Sequence, residues 1–180
     1  MPTILAVAVN PKVLPQLLSL RDKIRGAADV RWLADDALCV RLGELDATAV
    51  DRRNDAVRSA MDKAANAHQG FNVELRRVSV DTLHGGGHGV VLNVYRKAGM
   101  LQSLANSFVD RAPSDVRMRY VDPWRPQLVL AECSGPADEA TCLALESAAH
   151  GLELTMGVKT LQLLDGKTVL HEATLPSSGG

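Results

Sequence analysis

The chain has 180 residues, 46% hydrophobic and 23% charged, with a formal net charge of −1. That length supports one core rather than several domains, and so small a net charge gives no field that would draw the chain to double-stranded DNA or a membrane. Aromatic residues make up only 3%, too few for a surface of stacked bases.

Thr3-Ile-Leu-Ala-Val-Ala-Val9 is an unbroken apolar run, the mark of a strand covered on both faces rather than a secretion signal. Asn10-Pro11 then opens a helix with Leu14, Leu17, Leu18 and Ile24 on one stripe and Gly26 as its stop. Short strands follow at Val30–Leu33 and Leu38–Leu42, and Asp46 is placed as the N-cap of a long helix with Val50, Val57, Met61 and Ala64 inward.

Phe71, Val73 and Leu75 alternate, as do Val78 and Val80, but the phase slips at Arg76-Arg77. A slip of that kind predicts a bulge. His84-Gly-Gly-Gly-His88 reads as a solvated hairpin turn, with Val90 to Tyr95 as the return strand. A helix is expected from Ala98 to Asp110, a strand through Val116, Met118 and Tyr120, another at Leu128–Ala131, and a helix from Ala137 to Ala149. Leu152–Leu164 and Lys167–Leu175 close the chain as a hairpin across Asp165-Gly166. No apolar stretch approaches the ~20 residues that span a bilayer.

Element order repeats. Strand starts at Thr3 and Gly89, helix starts at Pro11 and Ala98, and strands at Val30 and Val116 are offset by nearly the same number of residues. The expectation is one α+β domain over 1–176, with repeats at about 1–82 and 88–176 and a flexible tail at 177–180. It is bilobal, with two mainly antiparallel sheets flanked by helices, related by a pseudo-two-fold with a central groove where a ligand would sit. Cys39, Cys133 and Cys142 are an odd count without a Cys-x-x-Cys pair, read as free thiols in a reducing, cytoplasmic compartment.

Two segments carry a resemblance. Arg31-Trp-Leu-Ala-Asp-Asp-Ala-Leu-Cys-Val-Arg-Leu-Gly-Glu44 and Arg125-Pro-Gln-Leu-Val-Leu-Ala-Glu132 resemble the two signature segments of the two-histidine phosphoesterases, which include the RNA 2′,3′-cyclic phosphodiesterases named 2′-5′ RNA ligases. The resemblance implies a bilobal fold with both motif strands at the groove floor. Each would present a His and a Thr or Ser two residues apart, so that one His is base, the other acid, and the hydroxyls hold phosphate.

This sequence departs from that pattern at every one of those places. Gln127 and Val129 stand at the second His and hydroxyl places. Cys39 and Arg41 stand at the first in one register, Asp36 and Leu38 in another, and no histidine precedes His68. Losing two positioned proton-transfer groups predicts a rate loss of roughly 10⁴–10⁸. The reading is therefore a phosphoesterase-like pseudoenzyme without cofactor or metal. Its groove would be lined by Cys39, Arg41, Gln127 and Val129, with Trp124 and Arg125 at the rim, and would take a nucleotide, an RNA end, another small anion or a protein partner. A second reading is an active phosphodiesterase or other hydrolase with its chemistry moved to His84 and His88. A third is a scaffold that binds protein and no ligand.

Overall fold

The structure is a computed structural model that describes residues 2–26 and 30–177. Residues 178–180 of the expected tail lie outside the described residues. In chain order the elements are β1 (Thr3–Ala8), α1 (Leu14–Ile24), β2 (Arg31–Trp32), β3 (Cys39–Leu45), α2 (Ala47–Arg52), α3 (Asn54–Asn66) and β4 (Phe71–Thr82). Then come β5 (His88–Arg96), α4 (Ala98–Arg111), β6 (Met118–Arg119), β7 (Gln127–Cys133), α5 (Glu139–Ala148), β8 (Leu154–Val158), β9 (Thr160–Asp165) and β10 (Thr168–Thr174). None of the described helices is long and apolar enough to cross a membrane.

The strands form one sheet in the order β10-β9-β1-β3-β7-β5-β4-β8, with β2 added to β7 and β6 added to β3. Every pairing is antiparallel. Two lobes are joined where β3 meets β7, through Val40 opposite Leu128 and Arg41 opposite Gln127. Beyond that short contact β3 and β7 diverge, and the gaps are filled by β6 and β2. The repeats exchange these strands: β2 of the first pairs with β7 of the second, and β6 of the second with β3 of the first.

β1 is covered on both faces, as an unbroken apolar run requires. Leu5 and Val7 enter the main core with the helices, while Ile4 and Ala6 pack with Cys39 and Leu164 on the other face. The bulge in β4 lies where the phase slips: its register against β5 shifts between Arg76 and Val78, and Arg77 has φ 61°. Asp46 caps α2 by accepting from the Ala49 amide at 2.8 Å, and Asp138 caps α5 in the same way through Thr141 at 2.7 Å.

Four expectations change. The first helix starts at Leu14 rather than Pro11, because the Val13 amide closes a turn on the Asn10 carbonyl and Pro15 occupies the first helical turn. The long helix after Asp46 breaks at Arg53 (φ −111°, ψ 25°) into α2 and α3. The strand through Val116–Tyr120 shortens to two residues, since the Val116 amide is spent on a turn to Pro113. Leu152–Leu164 is two strands that part around Lys159: β8 extends one lobe beside β4, and β9 crosses to the other beside β1.

The candidate cleft and its floor

β3 and β7 run side by side, and their alternation settles which residues share a face. Val40 and Leu128, opposite one another, both point into the helix-side core. Cys39, Arg41, Gln127 and Val129 therefore belong to the other, concave face. Two ion pairs settle the register between the repeats. Arg31 pairs with Glu132 where β2 meets β7, and Arg119 pairs with Glu44 where β6 meets β3. Adding 88 to 31 and to 44 gives 119 and 132, so one arrangement occurs twice. The same offset carries Cys39 onto Gln127 and Arg41 onto Val129. Asp36 and Leu38, the other register, sit in an exposed 3₁₀ turn and in the helix-side core respectively.

The floor is covered. Cys39 is buried among Ile4, Ala6 and Leu164, and burial raises its thiol pKa, against the opposing pull of the Arg41 charge. A thiol held in that state is a small hydrophobe rather than a nucleophile. Val129 is buried against Leu83 and Val91. Gln127 has 0% exposure, and both ends of its amide are taken by the β4–β5 turn. Its Nε2 donates to the Thr82 carbonyl at 2.7 Å, and its Oε1 accepts the His84 amide at 3.1 Å.

What covers the floor is the turn that reads in sequence as solvated. His84 is 5% exposed, with Nδ1 accepting the Val121 amide at 3.1 Å. That bond leaves the proton of the neutral ring on Nε2, a buried atom with no hydrogen-bond partner among the described residues. Burial is the main reason that its pKa falls to about 4. The charges of Arg41 and Arg125 push it the same way, while the carbonyls of those residues push it back. His88 starts β5 opposite Thr82 and Cys133 and alternates onto the face of Val90, which is the helix side. The fold therefore draws His84 into the cleft and leaves His88 out. Leu83, an apolar residue at the base of a glycine turn, is the signal in the sequence that this turn packs down rather than waving in solvent.

The arginines divide sharply. Arg119 is paired with Glu44, Arg125 lies 3.6 Å from Asp81, and Arg111 donates to the Ser107 carbonyl at 3.0 Å on its own helix. Arg41 is half-buried beside His84, and its Nε is buried without a partner among the described residues. Trp124 anchors the rim by donating from Nε1 to the Leu42 carbonyl at 2.9 Å. Beside the turn is an open cavity of about 510 Å³, walled by Leu83, Gly85, Gly86, Met118 and Tyr120. No group of three His, Cys, Asp or Glu side chains that could hold a metal occurs among the described residues.

No protein-family model and no curated protein sequence matches the chain. Solved structures do. A Thermus thermophilus protein, TT0787, superposes with TM-score 0.68 at 16% identity, over 99% of this chain and 100% of that one. E. coli LigT in its apo form gives TM-score 0.61 at 19% identity over 98% of each chain. Usb1 of Kluyveromyces marxianus gives 0.56 at 12% identity over 97% of each. LigT has also been solved with NADP+, ATP, 3′-AMP and phosphate. The chain has the fold of these proteins along nearly its whole length.

Proposed function

We propose that this chain is a phosphoesterase-like protein without catalytic turnover, whose cleft holds a phosphate-bearing ligand, a nucleotide or an RNA end, through Arg41. The observation that carries the reading is Arg41 itself. A guanidinium is always charged, and burying part of one without a counter-charge is costly unless an anion completes it. The Arg41 Nε has no partner among the described residues, it lies on the concave face, and its fork geometry suits phosphate oxygens. The LigT complexes with phosphate and 3′-AMP support the same ligand chemistry. Loss of turnover follows from the motif positions: Cys39 is buried with a raised pKa, and the Gln127 amide cannot take a proton near neutral pH.

Titration calorimetry with inorganic phosphate and 3′-AMP tests this. Arg41→Ala should weaken both by about 10-fold or more, the scale of one lost charge-assisted hydrogen bond, and 2′,3′-cyclic AMP should stay at its uncatalysed rate. Turnover of the cyclic phosphate by the wild-type chain would end the reading. A second reading has one observation in its favour, the free Nε2 of His84 inside the cleft. A neutral ring whose Nδ1 lone pair is taken by the Val121 amide offers Nε2–H only as a hydrogen-bond donor, so any turnover in this reading is small and is abolished in His84→Ala.

A further inference from the structure

Gln127 occupies a place where the sequence resemblance implies a proton-transfer histidine, yet neither end of its amide faces open solvent. Both reach sideways to one segment, accepting from the backbone of His84 and donating to that of Thr82. That segment is itself seated in the cleft: Leu83 packs on Val129 and Val91, and the His84 ring accepts the Val121 amide. Beyond His84 come three glycines with φ of 78°, 108° and 78°, a stretch where the backbone can swing without the steric cost of a side chain. Within the turn only two backbone bonds hold its shape, Gly86 to Leu83 and Leu83 to Gly87. The turn is thus a small unit tied to its seat by the Gln127 amide, the Leu83 side chain and the His84 ring.

We propose that Gln127 is a latch and that the turn of residues 82–87 is a built-in cover over the cleft floor, which lifts as a unit when the latch releases. The closed arrangement leaves two buried nitrogens unsatisfied, Arg41 Nε and His84 Nε2, and lifting the turn exposes both to water or to an entering anion. Gln127, buried with both ends of its amide taken, acts on a ligand only by positioning the turn. The latch itself stands on the hydrogen bonds above, while its coupling to an anion rests on the function proposed for Arg41.

Amide hydrogen exchange with inorganic phosphate as the probe ligand decides it. In Gln127→Ala and in the similarly sized Gln127→Leu, the His84 amide, which loses its acceptor, and the Val121 amide, whose bond to the His84 ring breaks when the turn lifts, should exchange about 10-fold faster or more. Amides of β1 and β9 should be unchanged. If covering competes with binding, phosphate affinity rises by the same factor as the opening population. Gln162→Ala, which removes a surface bond to Glu172, should alter neither. Unchanged exchange at His84 and Val121 overturns the latch, and faster exchange with unchanged phosphate affinity overturns the cover. If phosphate binds no variant, the anion reading falls while the exchange result still decides the latch. Should both Gln127 variants fail to fold, the wild-type chain answers alone. His84 and Val121 must then exchange through one shared opening that is easier than the opening of β7; exchange only by global unfolding rejects the proposal.

Discussion

His84 shows what a single side chain gains and loses by leaving solvent. Its ordinary pKa of 6.5 drops to about 4 when the turn packs down, because the charged ring would lose its water while facing Arg41 and Arg125, the latter only partly offset by Asp81 at 3.6 Å. The sign follows from linkage: the unfolded chain takes up the proton first as pH falls, so the folded state is favoured above pH 6.5 and loses ground between 6.5 and 4. A fall from 6.5 to about 4 corresponds to about 3–4 kcal/mol at most. Urea unfolding at a series of pH values should therefore show stability falling across that window in the wild-type chain and a flatter profile in His84→Gln. Equal slopes in the two proteins would mean that the ring keeps its solvent in the folded state. The sequence named His84 as a candidate, but it could not say that the ring would be buried, since glycine turns are usually wet.

At the level of strands and helices, glycines test how tightly the ladder is drawn. A Cβ built on Gly89 of β5 would stand 2.7 Å from the Ala131 carbonyl oxygen across the ladder. A backbone atom cannot step aside, so Gly89→Ala should cost about 1–3 kcal/mol in thermal or urea unfolding. Gly99 in the first turn of α4 meets nothing within 4 Å, and Gly99→Ala should stabilise by up to about 1 kcal/mol. If Gly89→Ala leaves stability unchanged or raises it, β5 and β7 stand further apart at this point than a 2.7 Å Cβ contact requires. Much at this scale was readable beforehand: the β4 bulge from the slip at Arg76-Arg77, the cap of α2 from Asp46, and the Asp165-Gly166 hairpin. The parting of β8 from β9 around Lys159 was not, because both halves of that run have strand character and only the positions of β4 and β1 separate them.

Across the whole molecule, strand exchange makes the two lobes one folding unit. One lobe is built from β1 and β3 of the first repeat with β9 and β10 of the second, and the other mixes the repeats in the opposite sense. Leu128, fully buried at the β3–β7 junction, belongs to both. Leu128→Ala should cost about 2–5 kcal/mol. It should shift a single transition seen alike by tryptophan fluorescence, which reads Trp32 and Trp124, and by far-ultraviolet circular dichroism. Two separated transitions would show that the lobes fold independently.

Taken alone, the sequence determined the repeated element order and the apolar faces of the strands, since these depend on local periodicity and residue type. It also contained the duplicated Arg–Glu pairing, but as four scattered residues whose link appears only once β2 meets β7 and β6 meets β3. Tertiary structure decided which side chains of the concave face stay open. Gln127 and Val129 are withdrawn from it, and the Arg41 Nε is left without a partner among the described residues, where a distant turn folds down onto the floor. Long-range packing of that kind is set by the shape of the assembled sheet, which no stretch of neighbouring residues encodes.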